Sequence, residues 1–109
     1  MSKYKIVSGR TYDNRIHPFV VLGKDKKSSS VLGLKVTHSN LDNRNYAFKK
    51  NPNLNDNSTA YLVMRPSVLP YGYWADYSSY EVSKEDEKEI NDYVNDIKMN
   101  KKFTKYFKK

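Results

Sequence analysis

Two apolar runs joined by a short polar linker do most to limit what this chain can fold into. The first is Ile16-His17-Pro18-Phe19-Val20-Val21-Leu22, the second Ser30-Val31-Leu32-Gly33-Leu34-Lys35-Val36-Thr37-His38-Ser39. Both are rich in β-branched and aromatic residues, and Gly-Lys-Asp-Lys-Lys-Ser-Ser between them is turn material, so they read as a β-hairpin. With the turn centred on Lys27, Leu22 faces Leu32, Val20 faces Leu34, Pro18 faces Val36 and His17 faces Thr37. That brings His17, Thr37 and, one step on, His38 to one end of the hairpin, with Arg15 just before it; a slip of one residue would set His17 opposite His38 or Val36, which leaves the neighbourhood unchanged but not the pair. Phe19 and Val21 point to one side and Val20 and Leu22 to the other. A ribbon apolar on both faces belongs in the middle of a small barrel or sandwich, not at an edge.

A chain of 109 residues has room for one domain with an adequate core, and the absence of cysteine excludes disulfides. No charged-then-apolar N-terminal signal and no apolar run near the length of a membrane helix are present in the sequence, so a cytoplasmic protein without membrane contact is expected. The net charge of +8 and pI of 9.6 point to a polyanionic partner, nucleic acid before membrane.

The acids are gathered. Asp76, Glu81, Glu85, Asp86, Glu87, Glu89, Asp92 and Asp96 share one segment, so the rest of the chain is more basic than the average. That segment reads as a helix over about 84–99, with Ser83 as N-cap, Asp86 or Glu87 near the capping-box position and acids in the first turn. Ile90, Tyr93, Val94 and Ile97 form its apolar stripe, and its carboxylates are expected on a solvated outer face.

Residues 39–59 form a long polar excursion with seven asparagines, broken by a short strand candidate at Tyr46-Ala47-Phe48. Such a loop is either functional or disordered. Ala60 to Arg65 reads as a strand ended by Pro66, with Ser67-Val68-Leu69 resuming it and a last strand near 79–82. Tyr71, Tyr73 and Trp74 cluster on an aromatic turn, either to stack unpaired bases or to cover one end of the core. The tail from Lys101 to Lys109 interleaves aromatics with lysines, as a phosphate clamp or as a frayed, solvated end.

In their order these features resemble the PemK/MazF family of toxin endoribonucleases. Gly9-Arg10-Thr11-Tyr12 matches the family's opening Gly-x-x-aromatic strand, and His17-Pro18-Phe19-Val20-Val21-Leu22 its Arg-Pro-Val-Val-Ile strand. Val31 to Ser39 matches the strand that ends in Thr-Ser or a similar pair, and Val82-Ser83-Lys84-Glu85 the start of its last helix. The resemblance implies a mainly β fold with a C-terminal α-helix, a small twisted SH3-like barrel over about 3–82, followed by the helix and a basic tail at 100–109. It also implies a homodimer that cleaves single-stranded RNA without a metal or cofactor, leaving a 2′,3′-cyclic phosphate, and that is neutralised by a protein antitoxin.

Thr37 carries over to the family's catalytic position directly. The family's catalytic arginine is replaced by His17, and Arg15 stands two positions earlier. The expected catalytic set is therefore His17 for proton transfer, Thr37 on the scissile phosphate and Arg15 for charge. RNA binding is expected from Arg10, Lys35, His38, Tyr73 and Trp74. Histidine suits proton transfer because it titrates near neutrality; the other reading has His17 as a strand-end residue and His38 as an exposed loop residue. A second hypothesis keeps the fold without catalysis, as a basic module that binds nucleic acid or inhibits a protein.

Overall fold

The computed structural model describes residues 4–10, 16–38, 45–53, 55–70 and 74–107. The hairpin forms as β2 (Ile16–Asp25) and β3 (Ser30–Thr37), closed by a turn at residues 26–29. Ser29, with φ of 51°, takes the left-handed position the turn requires, and the Asp25 carboxylate accepts from the backbone N–H of Ser28. Val20 faces Leu34 as the sequence implies, but a bulge at Leu22 shifts the turn-proximal half, so that Gly23 instead of Leu22 faces Leu32.

Around this ribbon lie β1 (Lys5–Arg10), β4 (Tyr46–Ala47), β5 (Tyr61–Leu62), β6 (Ser67–Pro70) and β7 (Trp74–Glu81), in the antiparallel order β4-β5-β3-β2-β1-β7 with β6 also on β3. The sheet is open. Among the described residues the end strands β4 and β7 do not pair with each other, so the expected closed barrel is not formed. The strand expected over 60–65 contracts to Tyr61–Leu62, because the chain bends at Met64-Arg65 and Pro66 has no N–H to give to a ladder. The last strand is longer than expected, since β7 starts at Trp74 and pairs along β1.

Both faces of the ribbon are buried. Val20, Leu34 and Val36 join Tyr4, Ile6, Phe48, Leu62, Val82 and Ile90 in the main core, whereas Phe19 packs with Val7 and Leu69 on the other side. Helix α1 (Lys84–Ile97) lies on the main core through Ile90, Tyr93 and Val94. Its start holds the chief departure from expectation. Asp86 is fully buried, not solvated. Its Oδ1 accepts from the Tyr46 hydroxyl at 2.6 Å and the Lys49 N–H at 2.8 Å, and its Oδ2 from the Lys50 N–H at 3.1 Å and the Ser83 hydroxyl at 2.8 Å. Ser83 in turn accepts from the Asp86 N–H, which caps the helix. Burial first, then the Asp86 carboxylate, pushes the Tyr46 phenol up, which keeps it a donor to that carboxylate.

The described part of the tail docks at Tyr106 and is not frayed there. Tyr106, in a short 3-10 turn at Thr104–Tyr106, is buried, and its hydroxyl lies 2.7 Å from Ser30 Oγ. Lys105 adds a 3.8 Å ion pair to Asp25. Gly23 makes room for this contact, because a Cβ there would fall on the Tyr106 carbonyl oxygen. Among the described residues no helix is long and apolar enough to cross a membrane.

Two outcomes follow from these contacts. Asp86→Ala leaves buried donors without an acceptor and is expected to lower unfolding free energy by about 3 kcal/mol, read by urea denaturation; a loss below about 1 kcal/mol would contradict the role given to this carboxylate. Gly23→Ala is expected to unseat the C-terminal turn and free its backbone, so that trypsin cuts faster after Lys105 in a folded protein, and unchanged cleavage kinetics would count against the docking.

Candidate functional site

The β2–β3 ladder ends at Phe19↔Lys35. Beyond it β2 continues on β1, with Pro18↔Ser8 and His17↔Gly9, while β3 turns to β5, with Val36↔Leu62 and Thr37↔Tyr61. The hairpin therefore forks at its open end. The expected His17–Thr37 pair is not formed, since each pairs elsewhere; strand alternation still places His17 on the side of Phe19 and Thr37 on the side of Lys35. All three polar residues are half-buried there. Opposite His17 stands Gly9, where a Cβ would come within 2.7 Å of the Phe19 and Leu69 side chains. The glycine thus lets an apolar floor close directly beneath the polar group.

On this face a cleft of about 430 Å³ opens beside Lys35, lined also by Phe19, Val63, Arg65, Pro66, Ser67, Val68 and Leu69. It exists because β3 changes partner. β6 covers Ser30 to Gly33 and β5 covers Val36 and Thr37, while residues 63–66 bow outward between them. The Val63 N–H still bonds the Lys35 carbonyl at 2.9 Å, which keeps the bend against the strand. Among the described residues, two cations and no carboxylate line the cleft.

His38 belongs to a different place. It lines a smaller cavity, about 90 Å³, with Ile6, Pro18, Val36 and Ala60, that is, with the opposite face of the ribbon. Its Nε2 lies 2.7 Å from Asp56 Oδ2, on the asparagine-rich loop. The described part of that loop is folded by its own polar side chains. Asn51 donates to the Ser58 carbonyl and accepts from the Asn53 N–H, Asn53 accepts from the Asn55 N–H, and Asp56 accepts from the Ser58 N–H and hydroxyl.

The structure thus brings His17, Thr37 and Lys35 to one face and separates His38 from them. Arg15 and Tyr73 lie outside the described residues. Arg10 ends β1 opposite Ile16, and Trp74 begins β7 opposite Gly9. Arg65 and Asp56 are the residues that reading the sequence missed. A cation before a proline that interrupts an apolar run was a usable signal for Arg65, and Asp-Asn-Ser marked Asp56 as a turn residue. Among the described residues no three His, Asp or Glu side chains cluster as a metal site. No family model, curated protein or solved structure matches this chain.

The loop latch has a pH signature. The Ser58 hydroxyl, then His38 and the Ser58 N–H, hold the Asp56 carboxyl well below the usual carboxylate range. The fold favours the ionised form, so this contribution to stability is complete above the ordinary aspartate value of about 4 and is lost as pH falls below it toward the depressed folded value. Asp56→Asn is accordingly expected to flatten the fall in melting temperature between pH about 4 and 2; parallel profiles for the two proteins would contradict the latch.

Proposed function

We propose that this protein is a toxin-like endoribonuclease with an SH3-like, PemK/MazF-type architecture, cleaving single-stranded RNA without a metal. The observation that carries this reading is the placement of His17, Thr37 and Lys35 on one face at the forked end of the hairpin, in a chain of net charge +8. The ribose 2′-hydroxyl attacks its own phosphorus, the bond to the 5′-oxygen breaks, and a 2′,3′-cyclic phosphate remains. His17 takes the 2′ proton, and the departing oxygen takes one from water. Thr37 holds a phosphate oxygen, while Lys35, with Arg15 from the neighbouring segment, balances the charge that develops. His38, on the other face, takes no part. In this reading the active protein is a cytoplasmic homodimer held in check by a protein antitoxin.

A second reading, a basic module that binds single-stranded nucleic acid without cutting it, draws on the Lys35–Arg65 cleft, whose shape and charge need no proton transfer.

Incubation of the protein with a long single-stranded RNA in chelator separates the two. Discrete cuts with cyclic-phosphate ends are expected, slowed about 10²–10⁴-fold by His17→Ala and also lost on Thr37→Ala, with folding matched by circular dichroism. RNA left intact at high protein excess would exclude the cleavage reading and leave binding that weakens steeply with salt.

A further inference from the structure

We infer that the cleft between β3 and the 63–66 bend is a nucleotide subsite, taking one base of single-stranded RNA in its apolar slot and the adjoining phosphate between Lys35 and Arg65. The inference rests on the reading of this protein as one that acts on RNA, and it gives that reading a specificity pocket beside the catalytic face.

The occupant follows from what lines the cleft. Its floor is Phe19 and Leu69, both nearly sealed from solvent, and its walls are Val63, Pro66 and Val68, the last of them 41% exposed. Such a surface accepts the flat, weakly polar face of a base. The rim carries Lys35 and Arg65 and no acid, and neither cation is in an ion pair among the described residues. Phosphate is the anion that accompanies a base in a nucleotide, and a guanidinium suits it by forming paired hydrogen bonds. Ser67 adds a hydroxyl to the lining, a donor and acceptor for the edge of a base.

Size and place agree. At about 430 Å³ the cleft falls in the range of small-ligand sites, roughly 300–1,000 Å³, whereas the cavity beside His38 is far smaller. Lys35 is shared between the cleft and the face that bears His17 and Thr37. A strand whose scissile phosphate lies at the fork therefore continues into the cleft. Helix α1, with the acids of its first turn, packs on the opposite face of the ribbon.

The test uses short, fluorescent 2′-O-methyl RNA oligonucleotides, which lack the attacking hydroxyl, so that binding is read by anisotropy apart from cleavage. Val68→Asp, which sets a carboxylate in the slot at an exposed position, is expected to weaken binding at least roughly tenfold. Arg65→Ala is expected to weaken it and to lower the slope of log affinity against log salt by about 0.7, the share of one phosphate contact on a single strand. Lys88→Ala, an exposed cation on α1, is the control for bulk charge and is expected to leave affinity unchanged. Abasic oligonucleotides that bind as tightly as intact ones would overturn the base slot. Polyglutamate that displaces the oligonucleotide at lower charge concentration would reassign the cleft to an acidic peptide and overturn the proposal. If natural RNA is cut normally while both cleft variants match wild type, the subsite fails and the cleavage reading stands. If oligonucleotide binding responds to both variants but natural RNA is never cut, the subsite stands and the cleavage reading fails.

Discussion

The β2–β3 ribbon is buried on both faces, and the rest of the structure answers to that requirement. Val20 and Leu34 on one side and Phe19 on the other are almost wholly withdrawn from water, each side chain contributing on the order of 1.5–3 kcal/mol by burial. Covering two faces takes two sets of elements. Helix α1, β4 and β5 serve the main core, while β6 and β1 bring Leu69 and Val7 to the other side. Because β6 and β5 share the free edge of β3, the chain between them has to step outward, and the cleft is the result of that step. The cleft is thus a product of how the core is covered.

Asp86 serves as the complementary polar centre. A carboxylate at 0% exposure is costly unless its lone pairs are engaged. Here four donors from two segments, residues 46–50 and Ser83, converge on it, and the N-terminal end of α1 adds the favourable pole of the helix dipole. No cation is required. The network ties the start of the helix to the end of β4 and the loop beyond it, and so places α1 over the main core. That placement also segregates charge, since the acidic turn of the helix stands on the side away from Lys35 and Arg65. Net charge alone gives attraction without direction; this arrangement gives it a face.

At the fork the two histidines are set apart. Adjacent strand positions point to opposite faces, so His38, one residue beyond Thr37, turns toward the smaller cavity and finds Asp56. A mechanism drawing on both histidines at one phosphate does not suit this geometry. The proposed cleavage accordingly calls on His17 and not on His38.

Local chemistry written into the sequence determined the hairpin, the Val20–Leu34 register, the Ser83 cap and the stripe of Ile90, Tyr93 and Val94. Each depends on residues within a few positions of one another or on strict strand and helix periodicity. Reading the sequence also brought His17 and Thr37 to the open end of the hairpin, but it grouped them with His38, which the fold sets on the other face. Tertiary structure alone decided that the sheet stays open, that Asp86 is buried, that Tyr106 docks on Ser30 and Gly23, and that Arg65 reaches the cleft. These depend on segments far apart in the chain: residue 86 meets 46, 49 and 50, and residue 106 meets 30. Hydropathy and propensity describe a residue with its neighbours in sequence, whereas a buried carboxylate or a cleft is defined by which distant donors and walls the fold brings to it.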